Sequence, residues 1–281
     1  MNKPVPTPRH GIPGYYALAD LPQRKSLSEA VISTGWEELD KVLKIYPGQF
    51  IVCTGNAGSG KSTFLFNLII NLCWRNKTKA WLYAPENEVN LFQKLNLMFG
   101  DKEEGSLFGA FAHTQCFVQS SNYTHYNDEP RDIEWILGNA WASYEMDGTS
   151  IFMIDPWNEL ERARLKEENL TDYIGRCLMR VKMFAKETGG TVIMVAHPTK
   201  AANGRDVTLG DIEGSMHWFN KCDNGLIIKH EAGSRETIVI SAKVREQPFA
   251  GLPGHCIFLV DTETGLFTEQ PGGGQVLGSA R

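Results

Sequence analysis

The sequence predicts an α/β fold: a mostly parallel central sheet with helices on both faces, extended by antiparallel C-terminal strands. Three observations predict it. Between Gln49 and His197, short apolar runs alternate with longer segments of helical period, the pattern of βαβ units whose strands are buried on both faces. The stretch GNAGSGKS, Gly55 to Ser62, satisfies G-x-x-x-x-G-K-[ST] at every defined position and lies between an apolar run and a helical one. The last third changes character: LIIKHE, ETIVISAKV and HCIFLVD are short β runs joined by Gly-bearing turns, without intervening helices.

In chain order, QFIVCT (Gln49 to Thr54) reads as a buried strand and Lys61 to Trp74 as the helix after the glycine-rich loop. KAWLYA (Lys79 to Ala84) is a second strand, and Glu88 to Phe99 a second helix. The polar, aromatic stretch Phe108 to Asn127 has no clear period. A helix follows around Asp132 to Tyr144, then a strand (Ser150 to Asp155), a long helix (Leu170 to Lys186) and a strand (Thr191 to His197). LIIKHE, ETIVISAKV and HCIFLVD are expected to extend the sheet as antiparallel strands. Nothing repeats at a fixed period. This gives a Pro-rich arm or linker over 1–32, one domain over 33–270 and a flexible Gly-rich tail over 271–281.

With 281 residues, 42% of them hydrophobic and 22% charged, one large α/β core with short appendages is the simplest organisation. The N-terminal MNKPVPTPRHGIPGYY has four prolines and no apolar core, unlike a signal peptide or membrane anchor. No stretch approaches the roughly 20 apolar residues that span a bilayer. A soluble, intracellular, cytoplasmic protein is therefore expected. The six cysteines are scattered without a C-x-x-C pair, which points to reduced, buried thiols rather than disulfides or a zinc site. A net charge of −5 does not advertise nucleic-acid binding, but binding depends on where the positive charge lies. Arg176 to Arg205 carries six Lys/Arg against one acid, Glu187; most of these read as a solvated helix face, whereas Lys200 and Arg205 fall in a loop.

A glycine-rich loop turns backbone N–H groups toward phosphate oxygens, and the following helix N-terminus favours negative charge. The candidates are Gly55, Asn56, Ala57, Gly58, Ser59 and Gly60, with Thr63 just inside the helix. Lys61 supplies a point charge and Ser62 a hydroxyl ligand for Mg²⁺. The alternative is a glycine-rich turn that binds nothing, which requires strand, loop, Lys-Ser and helix to coincide by accident.

Hydrolysis of a nucleoside triphosphate also needs a carboxylate for the metal, a group that orients water and one that senses the γ-phosphate. Asp155 closes IFMID as an acid after four apolar residues; it is either the metal carboxylate or a turn cap before Pro156. Glu86, after KAWLYAP, either polarises the water or favours a helix start. His197 closes TVIMVAH and is positioned for the γ-phosphate, although a strand-end histidine is more often structural. Lys243 and Arg245 alternate with Ala242 and Val244, so period two puts both cations on one side of a strand. They either face solvent or reach a phosphate, which on a neighbouring subunit would be an arginine-finger arrangement. Phe267, on the last predicted strand, is a candidate to stack on a base.

Taken together these stretches resemble the RecA-like P-loop NTPase motor domain of DnaB-type replicative helicases, within its Twinkle-like and phage primase–helicase branch. The resemblance rests on STGWEELDKVLKIYPGQFIVCTGNAGSGKS, LYAPEN, IDPWNEL, VAHPTK, DIEGSMHWFNKCDNGLII and AKVR, which run in the family's order from Ser33 to about Phe267. It implies that Lys61 and Ser62 bind phosphate and Mg²⁺, Asp155 is the Walker B acid, Glu86 the catalytic glutamate and His197 the γ-phosphate sensor. It also implies that Lys243 and Arg245 are the K-x-R pair donated in trans. Pro198 to Gly214 becomes a central-channel loop gripping single-stranded DNA, with Lys200 and Arg205 on its phosphates. The expected cofactors are ATP, dTTP or another NTP, with Mg²⁺. The expected partners are single-stranded DNA, forked duplex, further copies in a ring (a hexamer by resemblance) and a separate primase or loader, with 5′ to 3′ travel. A phage- or bacteria-like replication context is expected, with a mitochondrial one left open. Too few residues precede Gly55 for a primase region, and Thr199 stands where close relatives often carry a basic residue. The competing readings are a RecA-like DNA-dependent ATPase, recombinase or loader, that does not unwind; a small-molecule P-loop kinase, for which no Arg-rich lid is present; and a vestigial interaction module.

Overall fold

The computed structural model describes residues 9–12, 15–20, 26–100, 106–121, 130–199, 206–214, 216–231 and 233–277. The chain divides into units 1–30 and 31–281. In the first, Arg9–Gly11 and Leu18–Asp20 are 3-10 turns and α1 (Leu27–Ala30) is one helical turn, closed where the Ser26 N–H donates to Glu29 Oε2 at 3.2 Å.

The second unit holds the sheet. Its elements are α2 (Glu37–Asp40), β1 (Phe50–Thr54), α3 (Lys61–Asn76), β2 (Ala80–Tyr83), α4 (Leu91–Phe99), α5 (Ser106–Thr114), β3 (Cys116–Val118), α6 (Ile133–Asp147) and β4 (Ile151–Ile154). They continue with α7 (Leu170–Thr188), β5 (Thr191–Val195), α8 (His217–Lys221), β6 (Asn224–His230), β7 (Glu236–Val244), β8 (Gly254–Val260), β9 (Phe267–Glu269) and β10 (Gln275–Val276). Helix starts follow local chemistry. Asp132 accepts the N–H groups of Glu134 and Trp135, each at 3.0 Å, and Asn169 accepts that of Asp172 at 2.9 Å, so α6 and α7 begin on capping side chains.

The strand order is β10-β8-β7-β6-β1-β5-β4-β2-β3, with β9 on β8. β1 pairs in parallel with β5, Ile51 opposite Ile193, and with β6, Ile51 opposite Asn224. β5–β4, β4–β2 and β2–β3 are parallel too. Expected as antiparallel, β6 is instead parallel to β1, and the antiparallel pairs begin only at β6–β7. The physical reason is the connection: the chain between Val195 and Asn224 is long enough to return to the starting end of β1, whereas β6 and β7 are joined by a short turn. α5 and β3 arise in the stretch that showed no clear period. The helix expected from Glu88 opens with a 3-10 turn, Pro85–Asn90, before α4. After Gln270, Gln275–Val276 pair with Gly254 and His255 of β8.

Period two along β1 feeds two cores. Ile51 and Cys53 face a cluster with Phe64, Leu68 and Leu95, while Phe50 and Val52 face one with Ile136, Val181 and Phe184. α3 is buried nearly all round, and α7 buries a stripe from Tyr173 through Cys177 and Val181 to Ala185. The basic face of α7 is ion-paired: Arg176 to Glu168 at 2.9 Å, Arg180 to Glu134 at 2.8 Å and Lys182 to Asp223 at 2.8 Å. All six cysteines are free and buried. Among the described residues no helix is long and apolar enough to cross a membrane.

Candidate active site

Because β1, β5, β4 and β2 are parallel, their C-terminal ends share one edge of the sheet, where open α/β folds take ligands. The ladder carries on past the strand ends. The Asp155 N–H donates to the Tyr83 carbonyl at 2.9 Å, the Ala196 N–H to that of Cys53 at 3.0 Å, and the Thr54 hydroxyl to that of Ala196 at 2.8 Å. Gly55, Asp155 and His197 are thereby set side by side, with Glu86 just beyond Ala84.

Gly55 has φ +150°, and a Cβ there would lie 2.3 Å from the Ile228 carbonyl oxygen, so only glycine lets the loop leave β1 against β6. Gly60 at φ +81° opens α3 without a side-chain cap, which leaves first-turn N–H groups for a ligand. Asn56, Ala57 and Gly58 form an exposed tip; Ser59 is buried, with an Oγ that has no partner. The Lys61 side chain folds back over the loop, its Nζ donating to the carbonyls of Gly55 at 3.1 Å and Asn56 at 2.8 Å. Burial lowers its pKa, opposed by Cys53, Asp155 and Glu86. Thr63 offers its carbonyl to Asn67 at 2.8 Å. Beside the loop lies a cavity of about 350 Å³ lined by Asn56, Ser59, Lys229, His230 and Glu236 among others.

Asp155 is 2% exposed and its Oδ2 has no hydrogen-bond partner. Burial pushes the carboxyl up to about 6, a hydrogen bond from Ser62 opposes this, and the Glu86 charge adds to it. A buried carboxylate with one orphaned oxygen, bonded to the hydroxyl after the loop lysine, suits a hard cation that takes few protein ligands and several phosphate or water oxygens. Ser62 and Asp155 therefore fit Mg²⁺. Glu86 is exposed yet lies close enough to act electrostatically on Lys61, Asp155 and His197. His197 is half-buried; burial and then Lys61 lower its pKa, which favours the neutral ring.

Two residues near the site went unnoticed in the sequence. Asn158 accepts the His197 N–H through Oδ1 at 3.2 Å and donates through Nδ2 to Glu213 at 3.3 Å. Lys94 lowers the Asp155 pKa and donates to Asn87 at 2.7 Å. An Asn in NEL and a Lys on an amphipathic helix carry no signal of their own. After His197 the chain pairs with its own return: Pro198 bridges Ile212, and the Thr199 N–H donates to the Asp211 carbonyl at 2.7 Å. Lys200 and Arg205 lie outside the described residues.

Lys243 and Arg245 are not brought to this edge. Gly225 of β6 pairs with Lys243, and Asn224 beside it pairs with Ile51 at the start of β1. The five residues of β1 at ~3.3 Å each separate the two cations from the phosphate loop by roughly 17 Å. Both reach the same way, as period two predicted: Lys243 donates to the Phe219 carbonyl and lies over the Phe219 ring, and Arg245 donates to the Cys222 carbonyl at 3.3 Å. Phe267 corrects an expectation. It is 3% exposed and packs against Phe64 and Phe258 at centroid distances of 5.6 and 5.9 Å, so its faces serve the core and are not open to a base.

A family profile described as an AAA domain matches residues 20–203. The Twinkle homolog protein, chloroplastic/mitochondrial, of Arabidopsis thaliana is 29% identical over 271 residues, covering 85% of this chain and 36% of that protein. The chain thus spans about a third of that relative's length. Among solved structures, one described as an ATPase domain superposes with a TM-score of 0.68 at 17% identity, covering 85% of this chain and 90% of that one. A DnaB-like replicative helicase, solved to describe its interactions with primase, superposes at 0.67 with 18% identity, covering 84% and 62%. At these identities the two structures establish the fold: RecA-like α/β, mostly parallel, with antiparallel C-terminal strands.

Proposed function

Because the chain belongs to the AAA domain family, we propose that it is an ATP-dependent DNA helicase motor that moves 5′ to 3′ along single-stranded DNA as a ring, with a hexamer expected. One observation carries this reading. Lys61, Glu86, Asp155 and His197 gather at one edge of the sheet, while Lys243 and Arg245 lie a strand length away at the other. A triphosphate in the loop lies about a strand length from this chain's own cation pair, which supports the reading that the pair serves the nucleotide of another copy.

The loop N–H groups and Lys61 bind the phosphates, and the nucleoside has room beside Asn56 and Ser59. Ser62 and Asp155 would hold Mg²⁺, which would supply neutralisation of charge on the transferred phosphate. Glu86, exposed at the mouth of the site, orients water. A neutral His197 hydrogen-bonds the γ-phosphate; its backbone is tied through Asn158 to Glu213, so loss of that phosphate reaches the return of the loop proposed to grip DNA, with Lys200 and Arg205 on its backbone. Phosphate contacts without base readout suit sequence-independent travel. A separate primase or loader is the proposed partner, and the compartment is one that replicates DNA, whether cytoplasm or organelle.

The test is hydrolysis of Mg·ATP with and without single-stranded DNA, alongside strand separation on a forked duplex, with Lys61→Ala as control. Stimulation by DNA together with separated strands is expected. Stimulated hydrolysis with an intact duplex would overturn unwinding in favour of a recombinase- or loader-type ATPase.

A further inference from the structure

At the edge of the sheet away from the phosphate loop, Asp223 precedes β6 and is 4% exposed. Its oxygens divide the work. Oδ2 accepts the N–H of Phe50, the first residue of β1, at 3.0 Å. Oδ1 takes Lys182 Nζ at 2.8 Å and Arg245 Nε at 2.7 Å. Lys182 also donates to the Lys221 carbonyl at 3.0 Å. Arg245 spends Nη2 on the carbonyls of Cys222 and Asn220, at 3.3 and 3.5 Å.

We propose that Asp223 is a positioning residue for Arg245, holding the guanidinium by its inner edge so that its outer nitrogen faces a phosphate supplied by another copy. The inference rests on the reading that Arg245 serves a neighbour's nucleotide. Three features support it. A guanidinium carries five N–H donors in a rigid fork; here Nε and Nη2 are engaged, and among the described residues Nη1 has no partner while the side chain stays 43% exposed. A free arginine would have to give up rotamer entropy to reach a ligand, whereas a short carboxylate pinned to the β1 backbone fixes it beforehand. Lys182 completes the device. Asp223 and Arg245 alone would form a neutral pair with little attraction for a phosphate, but the second cation leaves the cluster one unit positive.

Asp223 also joins two nucleotides mechanically. β1 carries this chain's phosphate loop at its end and fixes Asp223 at its start, so the orientation of Arg245 is registered to the strand that bears the loop.

The test uses the full chain with Mg·ATP and single-stranded DNA. Asp223→Asn keeps the shape and an acceptor for Phe50 but loses the charge; kcat should fall about tenfold with KM unchanged. Lys182→Met leaves the Asp223–Arg245 contact in place but takes the cluster from one unit positive to neutral, so kcat should fall here too; an unchanged kcat would overturn the part given to Lys182. Mixing Asp223→Asn with Lys61→Ala subunits should give the same non-linear dependence on composition as mixing Arg245→Ala with Lys61→Ala, since each mixture forms interfaces with both defects and interfaces with neither. If only the Arg245→Ala mixture shows this, the positioning role is overturned and the reading of Arg245 stands. If neither does, the trans reading itself is wrong, and the inference goes with it. Should Asp223→Asn unfold by stranding Lys182, the double variant Asp223→Asn/Lys182→Met removes the stranded cation. Low kcat in the refolded double variant supports positioning, and recovery of kcat overturns it.

Discussion

At the C-terminal edge of the parallel strands the buried carboxylate of Asp155 keeps one oxygen without a partner, and burial pushes its pKa to about 6. At the opposite edge the equally buried carboxylate of Asp223 accepts a backbone N–H and two cationic side chains. Lys61 and Arg245 differ in the same sense. The first is nearly buried and turned back onto its own loop carbonyls; the second is held only along its inner edge and presents its tip to solvent. Buried polar groups are normally satisfied, so the unpartnered Asp155 oxygen beside the phosphate loop leaves a position for a ligand, whereas Asp223 itself is fully engaged even though the side chain of its neighbour Asn224 is buried without partners. A satisfied carboxylate marks a part already finished. On this comparison the phosphate-loop edge receives, and the other edge presents.

The most forceful attempt to break that contrast is Lys61→Ala. Removing the buried cation folded over the loop should lower kcat for Mg·ATP by about a thousandfold, the order found when a transition-state charge partner is lost, with little change in thermal midpoint. A tenfold loss would mean the loop N–H groups carry the site. Next is Asp223→Ala, which strands Lys182 and should cost roughly 3–5 kcal/mol in urea unfolding. A cost below about 1 kcal/mol, the ceiling for an exposed pair, would place water around the cluster and undo its description as finished.

Asp155→Asn should act with the opposite sign. The folded pKa of about 6 lies above the ordinary value of 3.8, so the charged carboxylate destabilises the folded state; the penalty sets in as pH rises through 3.8 and is complete above 6. The variant should therefore be more stable than the parent by on the order of 2 kcal/mol at about pH 8, with a smaller gap at about pH 5. It should also fail to hydrolyse Mg·ATP. Two buried aspartates on one sheet would then respond in opposite directions to losing their charge, which is the contrast in its sharpest form. Equal destabilisation by both substitutions would erase it.

How much of this was legible depended on whether a residue's neighbours are close in sequence. The phosphate loop, Asp155 and His197 could be read because each follows an apolar run, and parallel strands bring such ends together by construction. Lys243 and Arg245 were visible as a pair through period two, but their distance from the loop emerged only when β6 proved parallel to β1. Asp223 was invisible as a special residue. Its partners are Phe50, Lys182 and Arg245, all from other elements, and no local pattern marks such a junction. Phe267 was misread for a related reason: an aromatic on an edge strand reads as exposed until Phe64 and Phe258 are seen around it. α5 and β3 were missed because Phe108, Phe111 and Cys116 are buried without the continuous period that would announce them.

Between the two edges, the exposed face of α7 supplies the smallest effect and a control for the burial argument. Arg180 meets Glu134 through two nitrogens at 2.9 and 2.8 Å, a geometry as good as that of Arg245 with Asp223. Both side chains are about half exposed, at 50% and 46%, so water competes for each charge. The pairing holds the Glu134 carboxyl below its usual range, chiefly through the hydrogen bond from Arg180. Even so, an exposed pair is worth no more than about 1 kcal/mol. Arg180→Ala should cost less than that in urea unfolding, and the cost should shrink further in high salt. If it matched Asp223→Ala, geometry rather than burial would govern these charges, and the distinction between a receiving edge and a presenting one would lose its physical basis.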